Sequence, residues 1–164
     1  MADPIEFIRR AFPKLGSDGG LVTSLPTTIY NCIAWAAGDA AHWWWPVGGY
    51  YWPAKVPSGE DPDSFVAAFR TFDYEECQSD EVEEGFEKVA FFVGSTGRVT
   101  HGARQLPEGD WTSKLGESHD IRHPLRGIEG ATYGTVVRIM RRRRRSESPA
   151  SVDRPEATVT LRRG

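Results

Sequence analysis

The chain has 164 residues, 39% of them hydrophobic and 12% aromatic, with six tryptophans and a formal net charge of −3. That length and mix suit one folded domain with its own core and exclude an intrinsically disordered chain; no apolar run reaches the length of a membrane span. Two cysteines, Cys32 and Cys77, exclude a disulfide framework.

The first element expected is a helix opened by Asp3 as N-cap and Pro4 at the first helical position, with Ile5, Ile8 and Phe12 on one face. The same stretch lacks a basic start followed by an apolar core, so it does not read as a secretory signal, and the expected location is cytoplasmic. After a loop rich in Gly, Ser and Thr, Thr27 or Thr28 is placed to cap a buried helix over 29–40, ended by Gly38 and the Trp-Pro that follows. Residues 42–62 form an aromatic connection with four prolines, expected to pack on the body. A short amphipathic helix over 61–72 follows, opened by Asp61 and Pro62, with Phe65, Ala68, Phe69 and Phe72 at helical spacing.

Residues 78–85 are acidic and read as exposed. Strands then dominate: 86–94, a hairpin of 99–106 with 111–116 closed at "PEGD", and a last strand over 133–140. Helices crowd the first half and antiparallel strands the second, so the fold class is α+β, with helices packed on an antiparallel sheet. The expected organisation is one globular domain over 1–140 and a basic, flexible tail over 141–164, in which "ATVTL" alone has strand character. That tail holds eight arginines against three carboxylates, about +5, leaving about −8 on the body.

Chemistry centres on Cys32. A thiol at a helix start sees the positive end of the helix, which favours the thiolate, and free backbone N–H groups there can bind an oxyanion. The bland alternative is a small buried hydrophobe in an Ala-rich helix. A nucleophile needs a base. Of His42, His101, His119 and His123, His101 stands best, at the start of a strand directly after a turn. In the expected hairpin it lies opposite about Gly116, with Lys114 beside it. The third member must come from elsewhere: Asp120 is the choice, with His123 and Ser113 behind it. Asn31 either polarises a carbonyl or caps the helix.

Trp44, Trp45 and Trp52, with Trp43, Tyr50 and Tyr51 around them, either wall a substrate groove or pin a loop to the body. His119 and His123 are four apart, but Pro124 opposes a helix there and no further ligand stands at supporting spacing, so no metal is expected, nor any cofactor. Arg141, Arg142, Arg143, Arg144 and Arg145 invite weak, nonspecific contact with nucleic acid or an anionic surface, without a groove-reading motif.

"NC" at a helix start, "TH" at a strand start and the order helix then sheet resemble the papain-like superfamily, including its compact NlpC-type and CHAP-type members. The resemblance implies a thiol hydrolase or acyl transferase acting on a peptide or isopeptide bond, with Cys32 as nucleophile and His101 as base. It departs from that pattern in offering no Asn, Asp or His at the start of the next strand. Separately, "YNCIAWAAGD", "WWWP", "YWP", "GFEKVAFFV", "THGARQLPEGDWTSKLG" and "DIRH" resemble an uncharacterised bacterial domain family of unknown function, which supplies no activity. The rival to an enzyme is a non-catalytic module that uses the Trp-rich loop to hold a protein or glycan.

Overall fold

The computed structural model of the protein describes residues 3–145; the expected flexible segment and "ATVTL" strand beyond Arg145 lie outside the described residues. Asp3 caps α1 (Pro4–Ala11) by accepting the N–H of Ile5 at 3.1 Å, and Ile8 and Phe12 turn inward. Asn31 caps α2 (Cys32–Ala36) through the N–H of Ala34. Asp61 caps α3 (Pro62–Arg70) through Ser64. All three helices begin on an Asx residue whose side chain fills an orphan donor.

α2 spans five residues, not the twelve expected. Thr27 holds only a local turn at Ile29, and the chain leaves the helix at Gly38, whose φ of +86° suits glycine and ends the helical path.

Among the described residues, seven strands form one antiparallel sheet: β1 (Leu21–Val22), β2 (Glu75–Cys77), β3 (Phe86–Val93), β4 (Val99–Gln105), β5 (Trp111–Lys114), β6 (Asp120–His123) and β7 (Thr135–Arg143), in spatial order β1-β6-β5-β4-β3-β7-β2. The protein is thus a mixed helix-and-sheet fold built on an antiparallel sheet. Among the described residues, no helix is long and apolar enough to cross a membrane.

Side chains alternate between two cores. Val89, Phe91 and Met140 meet Ile33 of α2 and Phe65 and Phe69 of α3. Ala90, Phe92, Ala103, Ile121 and Ile139 meet Ile8, Phe12, Leu15 and Ile128 on the other face. At Gly102 α2 lies close on the sheet: a Cβ there would stand 2.9 Å from Ile33 Cδ1.

β7 runs three residues past the expected domain end at 140. Lys88, Glu87 and Phe86 pair with Arg141, Arg142 and Arg143, so this part of the arginine run is strand rather than tail. Acidic neighbours make that affordable. Arg141 is ion-paired to Glu75 and Glu83, and Arg142 to Glu87 at 2.7 Å.

Candidate functional site

The Trp-rich connection is tied to the start of α2. Asn31 Oδ1 accepts the N–H of Trp44, and its Nδ2 donates to the carbonyl of Trp44 at 2.7 Å. The chain then folds back, Tyr51 donating to Trp43 and Trp45 to Tyr51. Alternation sends the Trp44 ring into the core, 4% exposed, against Phe69 and Phe72. Trp43 goes the other way, and Trp45, packed edge-on to Phe65, stands between the core and the cleft. With Tyr50 they wall a cleft of about 310 Å³ whose remaining lining is Asn31, Cys32, Thr100 and Gly116. Of the three tryptophans expected to bind substrate, Trp45 therefore lines the cleft. Trp44 is a core residue, and Trp52 packs edge-on to Phe65 with its indole N–H on the Pro57 carbonyl. Trp43 and Tyr50 are the walls that residue type alone did not single out.

Cys32 is 7% exposed on this cleft. The backbone N–H groups of Gly102, Ile33 and Cys32 itself favour its thiolate, as does Lys114, but burial outweighs them and pushes the thiol up to about 11. The expectation of a dipole-lowered thiol is corrected: α2 is too short and the sulfur too enclosed for the helix end to win.

His101 is fully enclosed between the edge of Phe92, 5.3 Å away, and the face of Tyr133, 3.9 Å away. Neither ring nitrogen has a hydrogen-bond partner, and burial holds the imidazole well below its ordinary pKa, with His123 adding to the effect. A bulge decides its direction. Phe92 pairs with His101 but Val93 pairs with Val99, so Thr100 is the extra residue. His101 thus shares the face of Phe92, while Gly102 faces Ile33 and Thr100 lines the cleft.

Cys32 packs in the core on the α2 face of the sheet, whereas His101 lies with Phe92 on the opposite face. The β4–β5 ladder consists of Arg104↔Thr112 and Gln105↔Trp111 only, so the strands part beside Gly102 rather than pairing His101 near Gly116. The backbone N–H of Gly102, the residue after His101, acts on the Cys32 thiol in the direction of a lower pKa. Tyr133, stacked on His101, has its hydroxyl pushed up mainly by burial and also by the nearby Cys32.

Asp120 sits elsewhere. It pairs with Lys114 across β5–β6, and its Oδ2 accepts the Tyr30 hydroxyl at 2.8 Å. Oδ1 meets no donor. Lys114 is buried, its ammonium spanning the carbonyls of Thr27 at 2.7 Å and Gly116 at 2.6 Å, and burial pulls its pKa down. On the other face His123 Nδ1 faces the Pro124 carbonyl at 2.7 Å and must carry the proton, so Nε2 accepts from the Ser113 hydroxyl at 2.7 Å. Burial pushes His123 down to about 4. Among the described residues, no three His, Cys, Asp or Glu side chains gather as a metal site.

No curated protein and no solved structure matches the chain. One family does, over residues 21–141, a span that runs from β1 into β7 and takes in Asn31, Cys32, the aromatic cleft, His101 and Asp120. With that match covering most of its length, the chain belongs to the family described as Domain of unknown function (DUF7689).

Proposed function

We propose that the protein is a papain-like thiol hydrolase or acyl transferase acting on an amide bond of a peptide or protein, at the cleft between Cys32 and the aromatic loop. The observation that carries this reading is the thiol at a helix start, on an aromatic-walled cleft. With a resting thiol near 11, the thiolate forms during attack and not before it. The sulfur bonds to the acyl carbon as its proton passes to His101, which returns that proton to the departing amine; water or a second amine then releases the thioester. His101 serves this role by leaving its stack on Tyr133 and reaching through the gap between β4 and β5. Asp120, bound to Tyr30, takes no part in orienting the imidazole in this arrangement.

The test is acylation by p-nitrophenyl acetate. One equivalent of nitrophenolate should appear rapidly, with the acetyl group on the Cys32 peptide. Cys32→Ala should abolish it, and His101→Ala should slow it by about a hundredfold or more. Acetylation of Cys77 alone, or a reaction indifferent to His101, would overturn the proposal.

The raised thiol pKa and the enclosed imidazole favour a second reading, a module that holds an apolar group between Trp43, Trp45 and Tyr50 without chemistry. Under that reading Cys32→Ala keeps the natural function while Trp43→Ala and Tyr50→Ala lose it.

A further inference from the structure

A second cleft, of about 410 Å³, lies on the α2 face of the sheet away from Cys32. Its floor is a row in cross-strand register: Leu21 opposite Arg122, Arg122 opposite Thr112, Thr112 opposite Arg104. Trp35 of α2 closes one side, its indole N–H on Thr112 Oγ1 at 3.0 Å. Asp120 lies two residues before Arg122 on β6, and strand alternation puts it on the same face.

Two opposite charges in this cleft are incompletely satisfied. Arg104 stands with its guanidinium carbon 5.0 Å from the Trp35 ring centre and its Nε on the Trp35 carbonyl at 3.2 Å. Among the described residues it has no carboxylate partner, and its Nη groups carry no hydrogen bond. Burial lowers its pKa, and Tyr74, Glu87 and Asp120 only partly oppose that. The half-buried Arg142 and the buried Lys88, by contrast, have Glu87 and Glu83. Asp120 is 2% exposed, with one carboxylate oxygen on Tyr30 and the other without a donor. Arg104 and Asp120 do not pair with each other, and Asp120 acts on Arg104 less than Tyr74 and Glu87 do.

We propose that this cleft binds a small amino-acid-type zwitterion with an apolar side chain, its carboxylate on Arg104 and its ammonium beside Asp120. A guanidinium with free N–H groups suits a planar carboxylate, and an enclosed carboxylate oxygen without a donor suits an ammonium. The charges of the lining balance: Arg104 and Arg122 against Glu108 and Asp120. That balance disfavours phosphate and polyanions, which Glu108 and Asp120 repel. Leu21, Leu106 and Trp35 supply the apolar wall for a side chain. The site stands independently of any chemistry at Cys32.

The test is titration of the full chain with L-leucine, followed through the Trp35 indole N–H resonance. Leucinamide lacks the carboxylate and 4-methylpentanoate lacks the ammonium; inorganic phosphate is the third comparison. Leucine should shift the resonance saturably, and each singly charged analogue should bind about tenfold more weakly or worse. Arg104→Gln and Asp120→Asn should each weaken leucine by a similar factor. Arg104 also holds the Trp35 carbonyl, so the analogue series on the unmodified protein serves as the variant-free arm. No saturable shift with leucine, equal response to leucine and 4-methylpentanoate, or saturation by phosphate instead would each overturn the proposal.

Discussion

His101 and Tyr133 stack nearly parallel, with 3.9 Å between ring centres and 15° between planes. The imidazole thereby behaves as a third aromatic ring between Phe92 and Tyr133, and its native form is neutral. His123, enclosed beside Ser113, is neutral for the same reason.

Stability should therefore fall as the solution is acidified. Both folded-state pKa values lie below the unfolded value of about 6.5, so below that pH the unfolded chain takes up protons that the native state refuses. The stabilisation is complete above about pH 6.5 and is lost on the way down, for His123 until about pH 4. His123 alone should contribute roughly 2 kcal/mol of loss between pH 7 and pH 5. Urea midpoints of the wild type and His123→Gln at those two pH values check this; parallel profiles would contradict it.

Cys77 should react with iodoacetamide before Cys32 in the native protein at pH 7. Burial raises both thiols, but Cys77 is the more open of the two, and Cys32 reaches about 11. The Cys32 rate should climb steadily with pH up to that value. Peptide mass analysis after timed quenching reads both sites, and faster labelling of Cys32 at pH 7 would reinstate a dipole-lowered thiol.

Adjacent tryptophans should differ sharply in what they hold. Trp44→Ala empties a core site, removes an indole bond to Asp39 and should cost about 3–5 kcal/mol. Trp43→Ala trims a cleft wall and should stay within about 1 kcal/mol of wild type. Thermal midpoints separate the two; equal losses would mean that both rings are core.

Within the arginine run, Arg142→Gln should cost about 2 kcal/mol, because Glu87 loses its partner where both side chains are less than one-fifth exposed, and the Phe72 carbonyl loses a donor. Arg145→Gln should be neutral, since Arg145 is exposed beyond the end of β7. Chemical denaturation of the two variants decides it.

The starts of α1 and α3 were readable because Asp3 and Asp61 advertise caps, and α3 also because its phenylalanines repeat at helical spacing, whereas α2 begins at the Asn31 cap rather than after Thr27 or Thr28. The 86–94 strand and the "PEGD" turn were readable from apolar runs and turn chemistry. The length of α2 was not, because small and apolar residues continue up to Gly38 without a local stop. β6 is four residues long, too short for a period to declare itself. Arg141 to Arg143 read as tail because the acidic residues that pair them into the sheet come from 58 to 66 positions earlier for Arg141. At the candidate site, the thiol at the start of α2 was legible, but the side His101 faces was not. That direction turns on the extra residue at Thr100, and a one-residue slip reverses every side chain of a strand.

The position of β7 has a consequence for synthesis on the ribosome. β7 lies between β3 and β2 and pairs along the full length of β3, yet it is the last strand of the described chain to be made. Until it emerges, β2 has no neighbour at all, and β3 presents one unpaired edge carrying Val89, Ala90, Phe91 and Phe92. The sheet closes from its middle, after translation of nearly the whole domain. In that interval the nascent chain offers an apolar strand edge to any other unfinished copy on the same message, which makes prompt arrival of the arginine-rich end a safeguard against aggregation as well as a piece of the fold.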